Sequence, residues 1–467
     1  MHTIKKGDEL TLDIDSLAFG GRGIARYDEC VLFVKNAIPG QKVKALVYRK
    51  KKGYAEARTL SVIHESPFGV QAPCLHFGVC GGCKVQNLTY EEQLNQKVQQ
   101  VEEIFRRLGE YPDFKLSKII GAENIFHYRN KMEFTFSPYP WIIYDKPEEE
   151  LKPFALGLHI PGRFDKILNI SDCHIQPEIG NKLLNEVRNI CLCHPELAPY
   201  SPKKHTGFLR HLVLRYGFHT NQLMVNIVTA YDDMKKLSPL IDGLLEKFSE
   251  ITSFVNNINT RKSDVAYGEY ENLIYGSPVI EETLGDLTFE ISANSFFQTN
   301  TIQAEVLYNQ ILSAANLSGN EVIYDLYCGT GSISLYLASQ SRMVYGFEVI
   351  RSSLENAERN AKRNNIHNVQ FIKANLDTYF KSNQLPRKFL NPDIVILDPP
   401  RSGLHPDMKN YLQKFDAGRI IYVSCNPATQ ARDVQSLWEV GYKITKSILV
   451  DMFPHTPHIE IVSVLER

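Results

Sequence analysis

The sequence lacks long apolar runs and an excess of either charge. None of its hydrophobic stretches approaches the roughly 18 residues that a membrane-spanning helix requires, so we expect no membrane partner. Its 52 lysine and arginine residues balance 53 aspartate and glutamate residues, and this near-neutral total does not by itself indicate a nucleic-acid-binding protein. Internal repeats and low-complexity tracts are missing as well. The 467 residues are therefore expected to form a globular protein of about three domains.

The N-terminus and the cysteines indicate a cytoplasmic protein. Residues 1–7 are polar, and we expect no signal peptide there. Because nothing marks the chain as secreted, we expect no disulfide bonds among its nine cysteines. Those cysteines are then core residues, metal ligands or nucleophiles.

Three cysteines form a C-x5-C-x2-C run at Cys74, Cys80 and Cys83. The glycines between them permit the tight backbone that would gather three sulfur atoms around one centre. Cys173, in a later Ser-Asp-Cys-His string, is the candidate fourth ligand. Four thiolates suit an iron–sulfur cluster or a structural zinc ion. The uneven spacing favours the cluster, because zinc ribbons more often pair two C-x2-C knuckles. Zinc and a metal-free site are the alternatives.

Beyond residue 320 the sequence alternates apolar strands with turns that carry glycine or acidic residues. The apolar segment 322–326 leads into a turn with Gly329 and Gly331 and then into the start of a helix. Glycines in such a turn let the backbone approach a ligand, and the helix N-terminus faces it. The next strand ends on Glu348, about 20 residues further along, where a carboxylate can bind ribose hydroxyls. The pattern predicts a nucleoside cofactor, and an ordinary strand–turn–helix unit is the alternative.

Three further strand ends carry reactive side chains. The apolar strand at 419–423 leads into a Ser-Cys-Asn-Pro turn that contains Cys425. The strand at 393–397 ends in Asp398 and two prolines, and Glu460 directly precedes the last apolar strand. Ligands of open α/β sheets bind at the carboxyl ends of the strands, so Cys425 is predicted to lie beside a substrate. The alternatives are a packed, inert cysteine and a solvated strand-end glutamate.

In this order, these elements resemble the RNA uracil-5-methyltransferases over nearly the whole chain. The resemblance implies a Rossmann-like class I methyltransferase domain of α/β fold that uses S-adenosyl-L-methionine. It implies that Cys425 is the nucleophile and Glu460 the general base. The cofactor-contacting residues that it implies are Gln298, Tyr327, Ser332, Glu348, Asn375 and Asp398. Two of these positions differ from the relatives: Tyr327 replaces a Phe, and Ser332 replaces an Asn. The serine side chain is shorter than asparagine, so its hydrogen-bonding group reaches less far.

The resemblance also divides the chain into three parts. Residues 1–65 resemble the TRAM domain, an OB-like all-β barrel of five strands, with a glycine loop at 20–23 between the first two strands. Residues 66–279 resemble a central α+β RNA-binding domain that holds a 4Fe–4S cluster on Cys74, Cys80, Cys83 and Cys173. It contains a helix at 89–110 that we expect to pack on the catalytic domain. Residues 280–467 form the methyltransferase domain.

Two segments are candidate RNA contacts. Up to residue 63 the barrel has 12 basic and 7 acidic residues, which suits phosphate binding, although a purely structural barrel is the alternative. The string 207–215 alternates cationic and apolar residues, which predicts a strand with arginine and histidine on an RNA-facing side. Pairing of these cations with acids is the alternative there.

The resemblance implies a structured RNA as the partner of a monomeric enzyme. Barrel and cluster together favour 23S ribosomal RNA, and a T-loop uridine of transfer RNA is the alternative substrate. A second alternative is a non-catalytic RNA-binding protein that retains the cofactor fold, against which the presence of both Cys425 and Glu460 argues. The four cysteines lie outside the methyltransferase motifs, so we expect their loss to affect folding and RNA binding more than the chemistry.

Overall fold

The computed structural model describes residues 4–142, 153–379 and 389–467. The charged segment at 145–150, for which the sequence predicts a solvated loop, lies outside these ranges. Within them, no helix is both long enough and apolar enough to cross a membrane. The helices described there are α1 Tyr90–Leu108, α2 Glu178–Cys193, α3 Met234–Lys247, α4 Thr301–Ala315, α5 Ser332–Ala338, α6 Arg351–Arg363, α7 Leu376–Tyr379, α8 Met408–Phe415 and α9 Pro427–Trp438.

The N-terminal part is an all-β sheet of six strands that curls on itself. The strands are β1 Glu9–Asp13, β2 Ser16–Ala18, β3 Arg22–Tyr27, β4 Cys30–Lys35, β5 Lys42–Lys51 and β6 Tyr54–His64. Their order is β1-β5-β6-β4-β3-β2, and β1 also contacts β3 across the curl. Buried and exposed residues alternate along β1, and the buried side chains meet in an apolar core that includes Leu12, Val34 and Ala45. The prediction of an all-β N-terminal domain is confirmed.

The prediction of five strands with a loop at 20–23 is wrong in detail. Strand β3 begins at Arg22, and the predicted first strand is divided into β1 and β2. Gly23 lies inside β3, where an added β-carbon would come within 2.9 Å of the Ile14 side chain. This glycine permits close packing between strands and does not form a turn. A glycine count in the sequence does not distinguish these two uses.

The middle of the chain forms an eight-stranded sheet. Its strands are β8 Lys131–Ser137, β9 Pro140–Trp141, β10 Ala155–Ile160, β11 Arg163–Asn169, β12 Leu209–Tyr216, β13 Leu223–Thr229, β14 Ile251–Ile258 and β15 Tyr270–Gly276. Strand β7, Lys118–Ile120, precedes them in the chain but joins a different sheet. The order in the central sheet is β15-β14-β13-β12-β8-β10-β11-β9. Helices α2 and α3 cover one face, where Leu183 and Leu237 pack with Phe134 and Leu212.

Two arginines of β12 are buried, contrary to the prediction of a cationic face. Arg210 is 1% exposed and donates three hydrogen bonds of 2.6–2.8 Å to backbone carbonyls in the segment 259–263. Arg215 donates to the carbonyl oxygens of Ala293 and Ser295. The cations of this strand therefore hold two loops in place and are not available to phosphates.

The C-terminal part is a hairpin followed by a mixed eight-stranded sheet. The strands are β16 Val279–Leu284 and β17 Leu287–Ser292 in the hairpin, then β18 Val322–Leu326, β19 Met343–Glu348, β20 Val369–Lys373, β21 Ile394–Leu397, β22 Arg419–Ser424, β23 Lys443–Val450 and β24 Glu460–Glu466. The order is β20-β19-β18-β21-β22-β24-β23-β7. Strands β18 to β22 are parallel to one another, whereas β24 is antiparallel to both β22 and β23.

Apolar cores lie on both faces of this sheet. In β21, Ile394 and Ile396 pack into one core, and Val395 and Leu397 pack into the other. Burial on both faces explains why the strand is an uninterrupted apolar run in the sequence. The sheet confirms the predicted Rossmann-like α/β fold.

Helix α1 packs against the C-terminal sheet region. Its side chains Val101 and Phe105 share a core with Ala431 of α9 and Leu449 of β23. The ammonium group of Lys97 lies 2.6 Å from the Asp451 carboxylate, in a pair that is almost completely buried. Helix α1 thus connects the cysteine-rich segment that precedes it to the end of β23.

Candidate active site

The strand order brings Cys425 and Glu460 to the same edge of the C-terminal sheet. Cys425 follows β22, and Glu460 is the first residue of β24, which runs in the opposite direction. In the antiparallel pairing of these strands, Ser424 lies opposite Ile461. One residue further along, Cys425 therefore lies opposite Glu460. Residues 35 positions apart in sequence are neighbours because β24 is inserted antiparallel beside β22.

Cys425 lies in a turn that is tied to the segment after β21. The side chain of Asn426 caps α9 by accepting a hydrogen bond from the N–H of Ala428 at 3.1 Å. Its amide group donates to the carbonyl oxygen of Arg401 at 3.0 Å. The Arg401 side chain lies close enough to the Cys425 thiol to influence its ionisation. Burial and the charge of Glu460 raise the pKa of this thiol, and Arg401 opposes that rise.

Glu460 is a buried carboxyl group close to a second one. Its exposed fraction is 6%. Burial and then the charge of Asp398 raise the pKa of Glu460 well above its usual range, whereas Arg401 lowers it. Burial also raises the pKa of Asp398, to about 7. Arg401 is therefore the cation that favours the ionised forms of both Cys425 and Glu460.

The acidic end of β19 lies against the glycine turn that follows β18. The Glu348 carboxylate accepts hydrogen bonds from the backbone N–H groups of Gly329 at 3.1 Å and Ile350 at 2.8 Å. Val349 and Ile350 next to it are more than half exposed. A carboxylate held by backbone donors beside an exposed apolar surface can accept from ribose hydroxyls and support a flat ring.

The remaining predicted cofactor residues lie after strands, in loops or at a helix start. Tyr327 follows β18 with a positive φ of 68°, and Asn375 lies between β20 and the short helix α7. Gln298 lies in the loop after β17, whose Phe296 carbonyl accepts a 3.4 Å hydrogen bond from the Thr330 hydroxyl in the glycine turn. The hydroxyl of Ser332 lies 2.8 Å from that of Tyr308 in α4, so its hydrogen bond is made within the protein.

The four predicted metal-ligating cysteines line one small cavity of about 30 Å³. Burial raises the pKa of Cys83 to about 11 and that of Cys173 to about 12, and the other thiols add to both shifts. Burial also raises the pKa values of the other two thiols, Cys74 and Cys80. In the parts of the chain that the structure describes, no three Cys, His, Asp or Glu side chains are arranged to hold a single metal ion.

Comparisons with known proteins agree with this geometry. Residues 4–60 match the TRAM domain model, and residues 275–467 match the model of tRNA (uracil-5-)-methyltransferases. An uncharacterized RNA methyltransferase of Chlorobaculum tepidum is 39% identical over 99% of this chain and 97% of its own length. A second one, from Porphyromonas gingivalis, is also 39% identical, over 98% of this chain and 99% of its own length.

The chain belongs to the RNA uracil-5-methyltransferase family.

The methyltransferase is also similar in structure to a solved member of the family. The crystal structure of the tRNA (uracil-54, C5)-methyltransferase of Pyrococcus abyssi, in complex with S-adenosyl-L-homocysteine, has a TM-score of 0.75. It is 29% identical and covers 98% of this chain and 100% of its own. This chain is therefore an S-adenosyl-L-methionine-dependent RNA methyltransferase with an N-terminal TRAM domain.

Sequence reasoning missed Arg401 as a member of the site. It lies three residues after Asp398, and its proximity to Cys425 depends on where β21 and β22 end. The buried pair of Lys97 and Asp451 was missed as well, because its members come from distant parts of the chain. The position of Arg401 three residues after Asp398 was the only indication in the sequence that Arg401 belongs to the site.

Proposed function

We propose that the methyltransferase transfers a methyl group from S-adenosyl-L-methionine to carbon 5 of a uridine in 23S ribosomal RNA, through a covalent adduct between Cys425 and the base. The observation that carries the proposal is the pairing of Ser424 with Ile461, which puts Cys425 opposite Glu460 at the strand ends where we propose that the cofactor binds. A nucleophile and a base on the same edge are what C5 methylation of uracil needs.

The first step activates the base. Carbon 5 of uracil is too weak a nucleophile to attack a sulfonium methyl group at neutral pH. Addition of the Cys425 thiolate to carbon 6 forms a C–S bond and delivers the electron pair of the 5,6 double bond into an enolate, so that carbon 5 can form the bond to the methyl group. The bound S-adenosyl-L-methionine supplies that methyl group and leaves as S-adenosyl-L-homocysteine. Arg401 favours the thiolate that begins the step.

The second step restores the ring. The methylated adduct carries a proton on carbon 5, and the Glu460 carboxylate removes it. The electron pair of the C–H bond reforms the 5,6 double bond, and the Cys425 thiolate leaves from carbon 6. Because burial favours the protonated form of Glu460, the neighbouring Arg401 charge is needed to keep a fraction of this group ionised. The target base must reach this edge unstacked, either flipped out of a helix or already in a loop.

We further propose that six residues hold the cofactor and that four cysteines hold a 4Fe–4S cluster. The cofactor residues are Gln298, Tyr327, Ser332, Glu348, Asn375 and Asp398. The cluster ligands are Cys74, Cys80, Cys83 and Cys173, which share one cavity and whose pKa values burial raises, so that a metal is needed to keep the thiolates ionised. The cluster would connect the cysteine run to Cys173.

A transfer-RNA substrate is the second candidate. The Pyrococcus abyssi enzyme acts on uracil 54 of transfer RNA and covers 98% of this chain. That similarity favours a T-loop uridine, whereas the combination of TRAM domain and proposed cluster favours ribosomal RNA. Both substrates would use the same two catalytic steps.

Methylation of two defined RNAs separates the candidates. Full-length 23S ribosomal RNA and a pool of transfer RNAs, both made by transcription and free of modification, are incubated with the protein and radiolabelled S-adenosyl-L-methionine. We expect 5-methyluridine in the ribosomal RNA alone. Label in transfer RNA alone would establish the second candidate. If the protein is folded and binds S-adenosyl-L-homocysteine, the absence of label in both RNAs would contradict both candidate functions.

A further inference from the structure

Two adjoining cavities lie between the central sheet and the loop that carries Gln298. The first, of about 750 Å³, is next to that loop and is lined by residues that include Lys84, Arg129 and Phe296. The second, of about 450 Å³, is further along the sheet, and we call it the side cavity. The two share Lys131, Glu133 and His159 as lining residues. Because the two cavities share these residues, an RNA strand that lies in the first cavity beside the Gln298 loop has a neighbouring nucleotide within reach of the side cavity.

The side cavity presents carboxylates to whatever enters it. Asp264 lies 3.0 Å from His211, and Glu133 lies 2.5 Å from Lys131. Burial opposes the ionisation of each carboxyl group, but the interaction with His211 for Asp264 and with Lys131 for Glu133 outweighs it, so the pKa of both lies below the usual range. Both groups are therefore hydrogen-bond acceptors only, and they repel phosphate. The side cavity suits a ligand that donates hydrogen bonds.

The wall that carries Asp264 is built rigidly. The buried Arg210 donates to three carbonyls of the segment 259–263, and its guanidinium also stacks 4.3 Å from the centre of the Tyr200 ring. The Asn259 side chain donates to the Val265 carbonyl at 2.9 Å. These contacts fix the backbone on both sides of Asp264, while 29% of its side chain stays exposed to the cavity. A pre-positioned, accessible carboxylate is typical of a recognition site.

The side cavity also has an aromatic wall. Tyr267 is 51% exposed and lines the cavity together with Asp264. Unstacked RNA bases bind by stacking on such rings and by hydrogen bonds along their Watson–Crick edges. Among the other lining residues, the Lys131 ammonium group lies 2.5 Å from the Glu133 carboxylate and provides a donor beside an acceptor. One ring, two acceptors and one donor thus surround a space that is large enough for a nucleobase.

We propose that the side cavity binds an unpaired guanine of the substrate RNA, a few nucleotides from the target uridine. Guanine alone among the four RNA bases has two adjacent N–H donors on its Watson–Crick edge, at N1 and N2, which match the two oxygens of a carboxylate such as Asp264. Its O6 atom is an acceptor for the Lys131 ammonium group. The guanine site rests on the proposed function, in that a uridine must enter the neighbouring first cavity.

Selection from a hairpin library tests the guanine site without methylation. The RNA has a loop of random sequence around one fixed uridine, and it is bound to the wild-type protein in the presence of S-adenosyl-L-homocysteine, recovered and sequenced. We expect guanine to be enriched at one fixed distance from the uridine. Replacing that guanine by inosine, which lacks the N2 amino group, is expected to weaken binding about tenfold, the size of one good base contact.

Three variants assign the selection to the side cavity. Asp264→Asn is expected to lose the preference for guanine over inosine, because the amide replaces one acceptor by a donor. Tyr267→Ala is expected to weaken binding of all loop sequences about tenfold without changing the preferred base, and Tyr267→Phe to restore it. Asp165→Asn, a carboxylate elsewhere on the central sheet, is the matched control and is expected to behave like the wild type.

Two outcomes would overturn the guanine site. One is the absence of a selected base at any fixed distance from the uridine. The other is an unchanged preference for guanine in Asp264→Asn protein that keeps the wild-type melting temperature. Methylation of the same library is measured separately, so a protein that selects guanine but transfers no methyl group would contradict the proposed function and leave the binding site standing.

Discussion

The backbone N–H of Lys84 donates a 2.9 Å hydrogen bond to the carbonyl oxygen of His455. The N–H of Val85 donates to the same oxygen at 3.2 Å, and the Gln93 side chain accepts from the N–H of His455 at 2.9 Å. His455 itself has a positive φ of 65°, and Phe126 stacks on its ring. The residues that follow Cys83 therefore hold the loop that leads into Glu460, and the cysteine run is connected to the catalytic edge.

The first prediction concerns the metal. Protein purified without oxygen is expected to be brown and to contain about four irons per chain. Because of the Lys84–His455 contact, Cys83→Ser is expected to lower the single-turnover methylation rate at saturating RNA and not only RNA affinity. This differs from the expectation drawn from the sequence. The exposed Cys193→Ser is the control. Stoichiometric zinc without iron would contradict the cluster.

The second prediction concerns the nucleophile. Cys425→Ala is expected to bind S-adenosyl-L-homocysteine as the wild type does, because the thiol lies at the base-facing turn after β22 and not in the glycine turn. It is expected to transfer no methyl group, because the variant lacks the thiolate that we propose adds to carbon 6. Calorimetry and radiolabel transfer measure the two properties. Transfer at a rate near that of the wild type would exclude the covalent mechanism.

The third prediction separates Glu460 from Cys425. Glu460→Gln keeps the shape of the side chain and removes its basicity, so methyl transfer proceeds and elimination stops. We expect a protein–RNA adduct that survives a denaturing gel and carries a methylated base. The double variant with Cys425→Ala is expected to form no adduct, as is Cys425→Ala alone. Full turnover without an adduct, by folded Glu460→Gln protein, would remove Glu460 from the mechanism.

The fourth prediction concerns pH. The pKa of the Cys425 thiol is raised by burial and Glu460, and only the thiolate reacts, so the single-turnover rate is expected to keep rising with pH up to and beyond the usual pKa of a thiol. The raised pKa of Glu460 acts in the same direction, since the base must be ionised. Arg401→Met removes the cation that lowers both values and is expected to move this rise to higher pH.

Rates measured for Arg401→Met and for the exposed control Arg107→Met on one RNA, across the same pH series, check this shift. Salt is held constant, because RNA binding depends steeply on it. An unchanged pH midpoint in Arg401→Met would show that Arg401 does not act on the thiol.

The fifth prediction concerns the buried ion pair. Lys97→Met leaves the Asp451 carboxylate buried, with the Tyr90 hydroxyl at 3.0 Å as a donor. We expect the free energy of unfolding to fall by ~3–5 kcal/mol. Lys115→Met breaks the ion pair between Lys115, whose side chain is 73% exposed, and Glu102. It is expected to lower the free energy of unfolding by less than ~1 kcal/mol. Urea denaturation measures both. Equal losses in the two variants would contradict a special role for the buried pair.

The local sequence was sufficient for the elements that depend on neighbouring residues. The apolar run of β21, the glycine turn after β18 and the Ser-Cys-Asn-Pro turn after β22 follow from side-chain burial and turn chemistry, which act over a few residues. Family resemblance then supplied the roles of Cys425 and Glu460. Strand β3 and the close packing at Gly23 were missed, because the spacing of glycines does not show which part of the chain packs against them.

Only the tertiary structure decided which distant residues meet. The register that brings Cys425 level with Glu460, the contact of Arg401 with the thiol and the bond from Lys84 to His455 depend on strand order and on loops that close at one edge. The burial of Arg210 was likewise invisible in the sequence, since the backbone carbonyls that it binds lie about 50 residues further along the chain. Long-range pairing reflects the packing energy of the whole fold, and no local pattern encodes it.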